Sequence, residues 1–170
     1  MLSIITIFSV FILSFSTLIS PLYIFFSHSF PPMASVFHIE GKIPTNLGVK
    51  DGKLSPCPVT PNCVVSENAD STHSILPLSY EGDRNEAYNN FLKILSVVPE
   101  TKIIEQKEDY IRTEFRSKIM GFVDDGEFYF PSDKNVIEWR SSSRLGESDL
   151  GVNRRRLEQI RLAFEDFNQK

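Results

Sequence analysis

Between Tyr110 and Ser143 the side chains change character at every second residue, a period that fits a half-buried antiparallel sheet and not a helix. In Tyr110–Ser117, Ile111, Thr113 and Phe115 oppose Arg112, Glu114 and Arg116. In Gly121–Phe130, Phe122, Phe128 and Phe130 share one face, while Asp125, Glu127 and Tyr129 share the other. In Asn135–Ser143, Ile137 and Trp139 oppose Glu138, Arg140 and Ser142. Asp109, Pro131 and Asp133 mark the turns. Thr101–Glu105 reads as a further strand. Ile75–Tyr80 reads as a short one, and Pro77 within it cannot donate to a ladder, which puts it at an edge.

Two helices complete the pattern. Asp83 suits an N-cap, with Glu86 three residues on completing a capping box. Ala87, Phe91, Ile94, Leu95 and Val98 recur at helical spacing, and Pro99 ends the run. The second helix, Val152–Phe167, carries Leu157, Ile160, Phe164 and Phe167 on one stripe. Each helix has one apolar stripe and the sheet has one apolar face, so both helices are expected on that face. The expected fold is α+β: a two-layer domain, residues 54–170, with an antiparallel sheet of four to five strands and two helices packed on one face. The other face is charged.

The chain has 170 residues, and no Asp, Glu, Lys or Arg precedes Glu40. Residues 1–26 form an apolar signal or anchor segment, which as a helix would run about 39 Å. The hydrocarbon layer of a bilayer is about 30 Å thick. Three readings stay open: an uncleaved anchor, a cleaved export signal, and a true start at Met33. The first two place the domain on a membrane or exported, on the periplasmic or thylakoid-lumen side. The third makes it cytoplasmic. Lys42, Lys50 and Lys53 follow the segment and pull towards a cytoplasmic domain under the positive-inside rule. Residues 27–53, with Pro31, Pro32, Pro44, Gly41, Gly48 and Gly52, read as a linker or extended arm.

Cys57 and Cys63 flank a stretch stiffened by Pro58 and Pro61, with Pro56 just before it. A constrained loop of this kind can hold two thiols together. A structural disulfide closing roughly seven residues would stabilise by about 2.4 kcal/mol in the chain-entropy model, and it fits an exported domain. A metal site with His73 as third ligand lacks zinc spacing. A redox pair lacks the C-x-x-C form. Reduced, buried thiols are the remaining reading. His73 itself reads as a solvated loop residue. The net charge of −4 argues against a general nucleic-acid binder.

Several segments carry a family resemblance: Cys57-Pro58 with Pro61-Asn62-Cys63-Val64; Gly121-Phe122-Val123-Asp124-Asp125 with Glu127-Phe128; Arg140-Ser141 with Ser143-Arg144-Leu145-Gly146; and Ser148-Asp149-Leu150-Gly151-Val152-Asn153-Arg154, continued by Glu158 and Arg161. From Leu54 onward the chain resembles the family catalogued as domain of unknown function 1499. The resemblance implies bacterial or plastid origin and, often, a membrane-linked or exported product. It implies no activity, because the family has none established.

Three polar groups remain for chemistry. Asp124, Asp125 and Glu127 crowd one strand, and parity puts Asp124 on the apolar face unless a bulge at Gly126 shifts it. Such a carboxylate needs a cation, or else it serves in acid–base work or metal binding. Arg140, Ser141, Ser143 and Arg144 end a strand beside the Gly146–Gly151 loop and suit either an oxyanion or the loop's own carbonyls. Asn153 and Arg154, with Arg155 and Arg156, start the last helix, where cations oppose the dipole and invite a compensating anion. Asp149 can supply it from within, or a bound phosphate or carboxylate from outside.

Three functions are therefore open. One is a membrane-linked module binding an anionic or amphipathic small ligand, such as a lipid headgroup, through Asp124, Asp125, Arg140, Ser141, Ser143, Arg144, Asp149, Asn153 and Arg154. The second is an assembly protein of a membrane complex, docking through the charged sheet face. The third is a hydrolase using Asp124 or Asp125. The membrane is the expected partner of residues 1–26, and neither a cofactor nor a metal is called for.

Overall fold

Asp83 stops the chain in extended geometry and its carboxylate accepts the N–H groups of Asn85 and Glu86, which starts helix α1, Arg84–Val97. The structure is a computed structural model that describes residues 39–168. The readings for residues 1–26 and 27–38 lie outside the described residues. The described residues form six strands and two helices: β1 Cys63–Val65, β2 Leu78–Ser79, α1, β3 Thr101–Gln106, β4 Tyr110–Arg116, β5 Val123–Tyr129, β6 Val136–Ser143 and α2 Val152–Asn168.

Consecutive strands β3 to β6 pair as antiparallel hairpins, because short turns permit nothing else. The sheet runs β1-β6-β5-β4-β3, with β2 also on β6. It therefore has six strands where four to five were expected. The extra one is Cys63–Val65, read from sequence as the end of a loop, which pairs with Arg140–Ser142 while β2 pairs with Val136–Ile137. Pro77 stands just ahead of β2, whose pairing is only two residues long.

Both helices lie on the apolar face. Phe91, Ile94 and Leu95 of α1 and Leu157, Ile160 and Phe164 of α2 form one core with Ile111, Phe115, Phe128, Phe130, Ile137 and Trp139. Phe91 meets Phe128, Phe130 and Phe164 edge-on at 4.8, 5.9 and 5.8 Å between ring centroids, a geometry aromatic quadrupoles favour. Two expected core positions are not in it. Phe122 precedes β5 and Phe167 sits in the last turn of α2, so both lie at the margin of the core, and each is 40% exposed; Phe167 is met by the Lys93 ammonium, 5.6 Å from its ring centroid.

The opposite face is not open to solvent. Asp125 and Glu127 are 0% exposed and Arg140 is 3% exposed. The arm preceding β1 covers them. Gly48 donates its N–H to Glu127 Oε1 at 2.7 Å. Leu54 packs with Val65 and Tyr110, and Val49, Cys57 and Tyr129 border them. Asp51 and Gly52, at φ 51° and 73°, turn the arm back so that Lys50 and Lys53 exchange both backbone hydrogen bonds, the Asp-Gly hairpin chemistry. Cys57 and Cys63 form a disulfide, and no free cysteine remains.

Gly126 keeps register, since β4 and β5 pair without interruption from Tyr110↔Tyr129 to Arg116↔Val123. The bulge that could have moved Asp124 is absent, and parity holds. Gly126 is a glycine for lack of space: a Cβ there would lie 2.3 Å from Phe115 Cε2 and 2.5 Å from Thr113 Oγ1. Gly126→Ala should therefore push Phe115 aside and lower stability by about 1–3 kcal/mol. A urea midpoint unchanged from wild type would mean that the ring above Gly126 moves without cost.

Candidate functional site

The nine sequence-predicted residues fall in three places. Asp125, Arg140 and Arg144 lie under the arm. Asp124, Ser141 and Ser143 lie under α2, and Asn153 reaches the two serines from the first turn of that helix. Asp149 and Arg154 sit at the start of that helix.

Under the arm, alternation from β4, β5 and β6 brings charges together. Arg144 grips Asp125 with two parallel hydrogen bonds, Nε to Oδ2 at 2.7 Å and Nη2 to Oδ1 at 2.8 Å. Nη2 also reaches Glu114 Oε1 at 2.5 Å. Hydrogen bonding to Asp125 holds the Arg144 guanidinium more basic than usual, against its desolvation, and Glu114 adds to this. Arg112 approaches Asp125 at 3.4 Å and Glu105 at 3.8 Å. Glu127 accepts from Arg140 Nη1 at 2.9 Å and from the Tyr110 hydroxyl at 2.9 Å. Burial raises the Tyr110 phenol well above its ordinary value, and the Glu127 charge adds to this, so it stays a donor. The Nε of Arg140 is buried without a hydrogen-bond partner.

Under α2 the groups are amides, hydroxyls and one ion pair. Asn153 is 0% exposed. Its Oδ1 accepts from Ser141 Oγ at 2.5 Å and from Arg156 Nη1 at 2.9 Å; its Nδ2 donates to Ser143 Oγ at 3.0 Å and to the Asn62 carbonyl at 3.1 Å. Arg156 Nη2 donates to Asp124 Oδ2 at 2.7 Å, and its guanidinium lies 4.4 Å from the centroid of the Phe115 ring. The stacked arginine thus neutralises the carboxylate that parity places on the apolar face. Arg161 repeats the arrangement 4.8 Å over Trp139.

The helix N-terminus is capped from within. Asp149 accepts from Gly151 N–H at 2.9 Å and Asn153 N–H at 2.8 Å. Arg154 donates to the carbonyls of Ser74 at 2.6 Å and Thr72 at 2.9 Å, and Arg155 to Leu150 O at 2.7 Å.

Sequence reasoning missed three partners. Asn62 lies in the cysteine loop, yet its carbonyl accepts from Ser143 N–H and its Nδ2 donates to Gly146 O at 2.6 Å. Arg156 looks in sequence like Arg154 and Arg155, and only helical phase sets it over Asp124. His73 is not solvated: it is 6% exposed, with Nδ1 2.9 Å from both oxygens of Asp70 and Nε2 3.3 Å from Thr60 O. The spacing Asp70-x-x-His73 was the available signal, since a tight turn brings such residues together.

Residues 53–164 match the family described as "Protein of unknown function (DUF1499)". The chain belongs to that family. No curated protein and no solved structure matches it. The segments that carry the DUF1499 resemblance supply most of the groups just described, on both faces of the sheet. Among the described residues, no cluster of His, Cys, Asp or Glu is placed to hold a metal ion, and no helix is long and apolar enough to cross a membrane. A separate groove of about 470 Å³ opens between the start of α1 and the end of α2, bordered by Glu81, Glu86 and Glu165.

Two tests follow from these pairings. Asp125→Ala strands Arg144 beside Glu114 in a buried site and should cost about 3–5 kcal/mol. A loss under 1 kcal/mol in urea titration, roughly that of an exposed pair, would show the network to be dispensable. Asp70 is held below its ordinary value of 3.8, chiefly by the His73 side chain and then by the His73 N–H. A depressed acid stabilises the fold above its unfolded value and loses that contribution as pH falls through the lower folded value. Asp70→Asn should therefore be less stable than wild type at neutral pH, with the gap closing below pH 3.8. A gap independent of pH would contradict the assignment.

Proposed function

We propose that this DUF1499 domain is an interaction module held at a membrane surface, on a side of the membrane where disulfides persist. One observation carries the reading: the groups an enzyme or an anion site would need are engaged with one another. Both oxygens of Asp125 accept from Arg144, and Asp124 accepts from Arg156. A hydrolase would need one of these carboxylates free to exchange a proton with substrate. An anionic ligand at the start of α2 would displace the Asp149 carboxylate and draw Arg154 from the Thr72 and Ser74 carbonyls. Neither change is favoured by the contacts present.

The compartment and the membrane link rest on two further supports. The Cys57–Cys63 bridge suits an oxidising location. The charge-free sequence before Glu40 is long enough for an anchor.

The test is a membrane preparation of the full chain made without reductant, followed by denatured and native mass spectra. The expected result is a chain that sediments with membranes, lacks two hydrogens at its cysteines, and travels with a protein partner at fixed ratio. A small-molecule adduct released on denaturation would restore the ligand-binding reading instead. Recovery in the soluble fraction with both thiols open to alkylation would remove the membrane and compartment parts together.

A further inference from the structure

The described chain begins at the end of the sheet where exposed apolar side chains gather. Ser117 closes the β4–β5 turn: its N–H donates to Phe122 O at 2.9 Å, its carbonyl accepts from Gly121 N–H at 3.1 Å, and its Oγ accepts from Phe122 N–H at 3.0 Å. That closure leaves Ile119 78%, Met120 41% and Phe122 40% exposed. Leu145, 41% exposed, stands beside them, because Arg144 N–H donates to Val123 O at 3.1 Å.

The N-terminal arm reaches this same tip. Glu40 pairs with Arg116 at 2.7 Å, and Arg116 Nη1 donates to Gly121 O at 3.4 Å. Gly41 lies so close to Leu145 that a Cβ would be 2.8 Å from its Cγ. Ile39, 39% exposed, adds a further apolar side chain at the entry point. Everything before it lacks Asp, Glu, Lys and Arg. The charge-free sequence thus joins the described chain at the end of the sheet that carries the exposed apolar tip. The opposite ends of β5 and β6 carry Ser132, Asp133 and Lys134 in their turn.

We propose that this tip is a lipid-facing surface, in which Ile119, Met120, Phe122 and Leu145 enter the boundary between headgroups and acyl chains. The inference rests on the membrane-linked reading above and names the contact that reading leaves open. Adjacent exposed apolar side chains mark an interaction surface where single ones do not. The length of charge-free sequence that joins at Ile39 selects lipid as the occupant, because a chain anchored by it would present this end of the sheet to the bilayer. Lys42 and Lys118 are exposed close by and supply cations for lipid phosphates.

The experiment reconstitutes the full chain in phosphatidylcholine vesicles with and without bromine on the acyl chains. It compares Met120→Trp with Ser132→Trp, and Ile119→Trp serves as a second probe of the tip. Trp139 is 0% exposed and gives a constant background. The tip tryptophans should be quenched several-fold more strongly than the one at Ser132. Equal quenching in chains that float with the vesicles would overturn the inference while leaving the membrane-linked reading in place. Chains that do not float would overturn both. Blue-shifted tip emission that bromine leaves unchanged would mean protein covers the tip, and would overturn the lipid assignment.

Discussion

A carboxylate with no exposure needs a cation or several donors, and Asp125 and Glu127 both have none. Much of the structure follows from that requirement. Register sets Glu127 between Arg112 and Arg140, and Asp125 between Glu114 and Ser142. Arg140 therefore meets Glu127 across the strand, while Asp125 needs Arg144, one residue past β6, to reach back. Such pairs add little over a well-packed apolar layer, but losing one partner is costly. They fix position more than they supply net stability. Glu127 illustrates this, since its Oε1 accepts from both Tyr110 and the Gly48 N–H and so sets where the arm lies.

That the arm covers this face is what sequence could not disclose. Alternation revealed which residues of β4, β5 and β6 share a face, and all three assignments agree with the pairing register. Alternation cannot say what covers a charged face. An antiparallel sheet with one polar face is ordinarily wet on that side, and a stretch rich in Pro and Gly carries no periodicity to mark it as a layer. The helices were legible for the opposite reason. Asp83, Pro99 and the stripe Ala87, Phe91, Ile94 and Leu95 are local signals, and local signals survive without tertiary context. Phe122 and Phe167 failed because periodicity fixes direction but not how far along an element the core extends.

The polar residues were legible as a set and not as partnerships. For Asp124 the sequence leaves open a bulge at Gly126 and a choice between an ion pair, acid–base work and metal binding; the unbroken register keeps it on the apolar face, where a cation meets it. Its partner is Arg156 rather than Arg154, because α2 turns Arg154 towards the Thr72–Ser74 loop and lays Arg156 on Phe115. Two residues along a helix differ by about 200° of rotation, so choosing between them requires the helix's orientation on the sheet. That orientation is a tertiary property, set here by Leu157, Ile160 and Phe164.

Asn62 shows why a cysteine loop belongs to the same pattern as the distant strand and helix. Its carbonyl accepts from Ser143 N–H at the end of β6 and from Asn153 Nδ2 in the first turn of α2. One peptide thus ties the last strand to the last helix. The Cys57–Cys63 bridge closes the loop that contains this peptide, and closing a loop restricts the alternatives open to it. His73 steadies the same loop through Thr60 O, and Arg154 holds the chain around His73 by the carbonyls on either side. The segments Pro61–Val64, Ser143–Gly146 and Ser148–Arg154 therefore describe one joint. Their residue types are those a buried joint requires: amide and hydroxyl groups that satisfy one another, an aspartate at the helix start, and a disulfide beneath. The same inventory could have described an anion site. The difference lies in where the donors point, and here they point at acceptors within the joint.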